Sequence, residues 1–179
     1  VELPPVLSLP DDDRINIGIL GAIGPVKGAR QLEGLVEQTR SQKLPIRWIV
    51  IGYTDTINEP FQSEDSVICV HGGYSPEQVQ GLLEHYQVKL VVFPSTGPET
   101  YCYTLTEAWS AGIPALVPPI GALKERVRET DAGWMMSDWQ NVDAILEDVL
   151  EILSEGKREG YLAKSELAMN VIPSSIHDM

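Results

Sequence analysis

Apolar residues fall along this chain in short continuous runs separated by longer amphipathic stretches. Residues 15–20 (INIGIL), 47–52 (RWIVIG), 67–70 (VICV) and 88–93 (VKLVVF) are four such runs. Most are continuous rather than alternating, which predicts strands covered on both faces. Between them, residues 28–42 place apolar side chains at 32, 35 and 36, the spacing of one helical face. Residues 75–86 predict a second helix, with Ser75 as N-cap, Pro76 at the first position and Glu77 and Gln78 in the first turn. Downstream, the pattern predicts a helix over 100–111, a strand at 115–117 after a Gly-Ile-Pro turn and a helix over 121–129. A strand at 133–136, a periodic helix over 141–155 and one more helix before a loose end through Pro173 to Met179 complete the series.

Strand and helix thus alternate at intervals of roughly 20–30 residues, the pattern of an α/β fold with a parallel sheet and crossover helices. The expected architecture is a doubly wound, Rossmann-like sheet in a single domain over 14–160. A Pro- and Asp-rich lead-in at 1–13 precedes it, and a helix and tail at 161–179 follow it. Such sheets bind ligands at the carboxyl ends of their strands. The loops at 21–28, 53–60, 71–75 and 94–101 are therefore the places to look for chemistry.

Charge narrows the ligand class. Lys and Arg number 13 against 26 Asp and Glu, a net charge of -13 over 179 residues. This excludes nucleic acid as a partner and argues against docking on anionic lipid, since both need a broad cationic face. Any anionic ligand must be held in a local pocket against the field of the whole chain. No apolar run approaches the length of a membrane span. Cys69 and Cys102 form no CxxC pair, which fits a reducing compartment better than a disulfide framework. The chain opens on Val1 with no starting Met, as a piece of a longer protein would.

Three segments carry candidate chemistry. The first is GILGAIGPVKG, with Gly21, Ala22, Gly24, Lys27 and Gly28 between a strand end and a helix start. It is neither GxGxxG nor a GxxxxGK[ST] loop, yet it offers free amides and a cation where a phosphate could sit; its plainer reading is a flexible turn with a solvated lysine. The second is PSTGPETYCYTLTEAW, where Glu99 and Glu107 lie eight residues apart. On one helix that spacing is about 12 Å of rise and ~80° of rotation. The pair is then too distant to act on one bond as an acid and a base, and suits two contacts on an elongated ligand. Glu107 also sits among apolar residues, where a carboxylate needs a partner; otherwise it is a solvated helix residue. The third is His71-Gly72-Gly73-Tyr74, where two glycines allow close backbone approach and Tyr74 could stack on a base, or which simply turns the chain into the helix at Ser75. His85 and His177 read as surface residues, and the four Trp residues as packing. No GxSxG or HExxH motif occurs.

Taken together, the stretch ETYCYTLTEAWSAGIPALVPPIGALKERV resembles the donor-binding signature of retaining GT-B glycosyltransferases of group 1 (family 4). The matching positions are Glu99, Glu107, Ala108, Gly112, Pro114 and Gly121, with Lys27-Gly28 matching the first donor-domain loop. The likeness runs over roughly residues 14–160 and corresponds to the C-terminal half of such an enzyme. It implies that Glu99 holds hydroxyls of the transferred sugar, Glu107 the ribose, and Lys27 the diphosphate. It also implies that amides at Thr100, Tyr101 and Cys102 cap the diphosphate, and that Gly72, Gly73 and Tyr74 border the base. Glu99 and Lys27 would be the catalytic pair. Where the family usually carries an Arg after its first glycine, this chain has Ala22 and Ile23. Either Arg30 reaches in, or Lys27 and the helix start act alone.

The implied reaction is transfer of a sugar from a nucleotide diphosphate to an acceptor hydroxyl with retention, in glycan or polysaccharide synthesis. The implied partners are the nucleotide sugar and an N-terminal acceptor-binding domain of the same longer polypeptide, without which this chain binds but does not transfer. No metal or other cofactor is expected, and Asp11-Asp12-Asp13 reads as a solvated linker. A cytoplasmic location follows, any membrane association residing outside this chain. The competing readings are an inactive glycosyltransferase-like scaffold and a GT-B-type epimerase or phosphorylase.

Overall fold

The structure, a computed structural model, describes residues 5–171. Its strands are β1 (Ile15–Ile23), β2 (Ile46–Thr54), β3 (Phe61–Gln62), β4 (Ile68–Gly72), β5 (Val88–Val92), β6 (Ala115–Val117) and β7 (Gly133–Met135). They form one sheet in the order β3-β4-β2-β1-β5-β6-β7. Every pairing is parallel except that of β3 with β4. Setting β3 aside, the spatial order is third, second, first, fourth, fifth, sixth, the doubly wound order expected from the alternation, with its direction reversing between β1 and β5. The helices are α1 (Ala29–Ser41), α2 (Val79–His85), α3 (Tyr103–Ser110), α4 (Gly121–Thr130), α5 (Val142–Ile152) and α6 (Arg158–Met169).

The continuous apolar runs are explained by two core layers. Successive side chains of a strand point to opposite faces. In β2, Trp48 and Val50 join a layer with Leu32, Leu35 and Val36 of α1 and Ile145, Leu146 and Val149 of α5. Ile49 and Ile51 join the other layer, with Leu82 and Leu83 of α2, Leu105 and Trp109 of α3, and Leu123 and Val127 of α4. The Trp residues pack as expected. Trp48 and Trp109 are fully buried, and their indole N–H groups donate to Thr39 Oγ1 and the Ala132 carbonyl, both at 2.9 Å. Trp134 and Trp139 are half-buried against the first layer.

Several boundaries differ from the periodicity. β3 was not expected: it is two residues long, and pairing to β4 rather than apolar pattern creates it. The segment from Ser75 begins as a 3₁₀ turn over Pro76–Gln78, closed by a capping box in which the Ser75 N–H donates to Gln78 Oε1 at 3.0 Å. The helix expected over 141–155 starts after Asn141, whose side chain accepts from the amides of Asp143 and Ala144, and stops at Ile152. The helix expected over 100–111 begins only at Tyr103. Cys102 precedes it with φ 69°, a left-handed conformation that breaks the helical path.

The described part of the lead-in, 5–13, is docked rather than solvated. Leu7 and Leu9 pack on the α2–α4 layer, and the Leu7 N–H donates to the Tyr86 hydroxyl at 3.0 Å. Asp12 pairs with Arg47, whose side chain is 2% exposed. This corrects the linker reading of Asp12: a guanidinium buried at the start of the interior strand β2 requires a counter-charge. Arg47 also donates to Asn16 Oδ1 and the Ser66 carbonyl. At the other end, Ser165 of α6 donates to the Gly112 carbonyl at 2.7 Å. Residues 172–179, with His177 and the expected loose end, lie outside the described residues, while His85 is exposed as expected.

One contact fixes where the sheet opens. A Cβ on Gly28 would stand 2.1 Å from the Pro94 carbonyl oxygen, and Gly28 has φ 97°. Both backbone conformation and space therefore exclude a side chain there. Gly28→Ala is expected to destabilise the fold by about 2–4 kcal/mol, read as a lowered urea midpoint at unchanged m-value.

Candidate functional site at the carboxyl ends of β1 and β5

The loops leaving β1 and β5 interlock. Besides the Gly28–Pro94 approach, the Thr96 N–H donates to the Val26 carbonyl at 2.9 Å. Together they enclose a narrow cavity of about 10 Å³ lined by Ile23, Lys27, Ser95, Glu99 and Thr104, among others. Lys27 Nζ stands 4.0 Å from Glu99 Oε2, with the two side chains 42% and 16% exposed. The Ser95 hydroxyl donates to Glu99 Oε1 at 3.3 Å. The structure thus brings Lys27 and Glu99 together, with Gly21 near the end of β1 and Gly24 in the loop that follows. Gly21 has φ 104°, and a Cβ there would meet the Thr104 methyl at 3.3 Å. Ala22, in β1, is exposed. Arg30 does not reach in; it pairs with Glu33 and Asp55.

The two glutamates do not share a helix. Glu107 lies on α3, while Glu99 lies in the loop before it, because the chain turns at Cys102. The rise and rotation expected from an unbroken helix therefore do not apply. Glu107 finds the partner its apolar surroundings demand: the Tyr74 hydroxyl donates to Glu107 Oε2 at 2.7 Å. Burial raises the Glu107 carboxyl above its ordinary 4.5, while the Tyr74 hydrogen bond and the Lys27 charge oppose that rise. Burial, and the adjacent carboxylate, push the Tyr74 phenol upward as well. Tyr74 is thus tied to α3, and the loop at Gly72–Tyr74 stands beside the α3 end of the site. Gly72 has φ 96°, and Gly73 is exposed. His71 is buried, with Nδ1 2.6 Å from the Tyr86 hydroxyl.

Thr100 and Tyr101 lie in the loop, and Cys102 is the N-cap of α3. The amides at the helix entry are consequently those of Cys102, Tyr103 and Thr104 rather than Thr100, Tyr101 and Cys102, a shift of two residues. Burial pushes the Cys102 thiol up to about 11, so it stays protonated at neutral pH, 3.3 Å from Thr104 Oγ1. Sequence reasoning missed Ser95, Thr104 and Arg126. Arg126 of α4 donates to the carbonyls of Tyr101 and Cys102 and to Thr106 Oγ1. A signal for it existed: it interrupts the apolar stripe of Ala122, Leu123 and Val127, where a cation needs buried acceptors. α4 also holds Glu99, since the Ala122 N–H donates to the Glu99 carbonyl at 3.0 Å. A Cβ on Gly121 would stand 3.1 Å from the Glu99 backbone.

Lys27, Glu99 and the start of α3 thus gather at the reversal point of a doubly wound sheet, the place where such α/β folds open a crevice. The family model for glycosyl transferases group 1 matches residues 5–166, and the chain belongs to that family. Among solved structures, it is similar to sucrose-phosphate synthase from Thermosynechococcus elongatus (TM-score 0.68, 17% identity, 90% of this chain and 41% of that one). It is similar also to the catalytic domain of starch synthase IV from Arabidopsis thaliana bound to ADP and acarbose (0.67, 18%, 93% and 36%). A third is Anabaena HepE in complex with UDP and glucose (0.64, 16%, 88% and 43%). The chain thus spans about two fifths of the structures it matches. No significant match occurs among curated proteins. These likenesses bear out the GT-B-type Rossmann-like fold.

The Tyr74–Glu107 bond makes a titration prediction. A Glu107 value raised in the folded state favours folding below about 4.5, an advantage lost as pH rises through the folded-state value. Tyr74→Phe removes a donor to the charged form and should move the Glu107 midpoint further up, measured by carboxyl-detected NMR titration. A midpoint unchanged or lowered would show that the hydroxyl does not stabilise the carboxylate.

Proposed function

We propose that this chain is the nucleotide-sugar-binding part of a retaining glycosyltransferase of the family 4 type, acting in glycan or polysaccharide synthesis. It passes a sugar from a nucleotide diphosphate to an acceptor hydroxyl. The observation that carries this reading is the convergence of Lys27, Glu99 and the start of α3 on one cavity at the β1/β5 reversal. UDP and ADP in the similar structures agree with it. In this reading Lys27 and the α3 amides meet the charge that builds on the departing diphosphate. Glu99, oriented by Ser95, takes sugar hydroxyls. Glu107, oriented by Tyr74, takes the ribose, and Gly72, Gly73 and Tyr74 border the base. Gly21, Ala22, Gly24 and Gly28 let the diphosphate approach the backbone.

No metal enters the proposed reaction. Among the described residues, no three His, Cys, Asp or Glu side chains gather as a possible metal site. We further propose that acceptor binding belongs to an N-terminal domain of a longer polypeptide, in keeping with the two-fifths coverage of the similar structures. Both cysteines are free and buried, which suits a cytoplasmic setting. No helix among the described residues is long and apolar enough to cross a membrane.

Calorimetry with UDP, ADP and GDP tests binding. One of them should bind the wild-type chain, and Lys27→Ala or Glu107→Ala should weaken it roughly 10–100-fold, as expected for loss of a charge-assisted contact. Binding of none would favour the inactive scaffold. The 179-residue chain alone should release no sugar to an acceptor; turnover by it would refute the need for a second domain.

A further inference from the structure

Arg126 lies on the side of α3 away from the cavity. On a helix with about 100° between residues, Thr104 and Glu107 share one face, and Thr106 and Trp109 the opposite one. Thr104 lines the cavity and Glu107 meets Tyr74, whereas Thr106 and Trp109 meet Arg126. The guanidinium is held on every side. Nη1 donates to the Tyr101 carbonyl at 3.2 Å and to the Cys102 carbonyl at 2.9 Å, and Nη2 donates to Thr106 Oγ1 at 2.7 Å. Its carbon stands 4.3 Å from the Tyr101 ring centre and 5.1 Å from that of Trp109.

Peptide geometry turns this clamp into an arrangement of amides. No described peptide bond is cis. In a trans peptide the C=O and N–H groups point in opposite directions. Holding the carbonyls of Tyr101 and Cys102 at one cation therefore turns the amides of Cys102 and Tyr103, their peptide partners, away from Arg126. Cys102 is left-handed and Tyr103 is helical, so the two amides belong to a left-handed/right-handed pair, the backbone form of an anion-binding nest. A left-handed non-glycine residue is strained and persists only where its surroundings enforce it. Two hydrogen bonds from Nη1, with Nη2 anchored on Thr106 and the guanidinium lying over the Tyr101 and Trp109 rings, supply that enforcement; a lysine ammonium, with no second planar arm to anchor, does not hold the same geometry. The positive charge at the carbonyl ends also polarises both peptides so that their N–H ends become more positive.

We propose that Arg126 is a positioning residue for diphosphate binding: it touches no ligand, but holds the Cys102 and Tyr103 amides as the diphosphate cradle. The inference rests on the nucleotide-diphosphate reading above and adds a second cation to Lys27, acting from behind the loop. Its test uses the 179-residue chain, ¹⁵N-labelled, titrated with UDP, ADP and GDP and with the corresponding monophosphates. Wild type should prefer a diphosphate over its monophosphate, with the Cys102 and Tyr103 amide protons moving downfield on binding. Arg126→Gln should weaken the diphosphate roughly tenfold, about one or two hydrogen bonds, abolish those two shifts, and leave the monophosphate nearly unchanged. A purely structural role would weaken both ligands alike. Should Arg126→Gln fail to fold, Arg126→Lys decides: diphosphate affinity and amide shifts equal to wild type overturn the proposal, and a selective diphosphate loss supports it. If no nucleotide binds wild type, the functional reading itself fails. If wild type binds and both variants retain the diphosphate preference, only the role of Arg126 fails.

Discussion

The backbones of two loops, those leaving β1 and β5, touch without side chains between them. Gly28 lies against the Pro94 carbonyl, and the neighbouring strand ends close in the same manner, where a Cβ on Gly52 would stand 2.0 Å from the Gly21 oxygen. This contact sits where the sheet reverses direction, so that α1 and α3 leave toward opposite layers. A crevice necessarily opens between helices that diverge in this way. Lys27 enters it from one loop, and Ser95 and Glu99 from the other. Widening the contact by even one methyl group would separate the cation from the carboxylate it faces.

Electrostatics then has to work locally. The chain carries a net charge of -13, yet several of its cations are committed to internal partners. Arg30 holds Glu33 and Asp55, Arg40 holds Asp65, and Arg47 holds Asp12. Arg40, foremost by its hydrogen bond, keeps the Asp65 carboxyl far below the usual carboxylate range. Lys27 differs: it is part-exposed and only 4.0 Å from Glu99, close enough to be attracted and loose enough to turn to another anion. Within this acidic chain, Lys27 and the start of α3 nonetheless face the same small cavity.

Much of the fold was legible because burial on both faces leaves a distinctive trace. Residues 48–51 (WIVI) and 90–93 (LVVF) are apolar at successive positions because alternate side chains enter different layers. Ser75-Pro76 announced a helix start because a cap and a fixed φ act locally. β3 left no trace, since two residues paired at an edge need no apolar pattern. The start of α3 was misplaced because nothing in Thr100-Tyr101-Cys102 forbids a helix; the break comes from α4, which grips the carbonyls of that segment. Asp12 read as solvated because its counter-charge, Arg47, lies 35 residues away on another strand.

The sequence by itself determined the strand and helix alternation, the glycines that allow close approach, and the residue types available to the site: Lys27, Glu99, Glu107 and Tyr74. These follow from periodicity, backbone freedom and side-chain chemistry, which act over a few residues. Tertiary structure alone decided which groups meet. It set Glu99 off the helix that bears Glu107, gave Glu107 the Tyr74 hydroxyl and sent Arg30 outward to Asp55. It also placed Arg126 behind the loop whose amides face away from it. Each of these depends on contacts between segments 20 or more residues apart, where distance in the chain carries no information about distance in space.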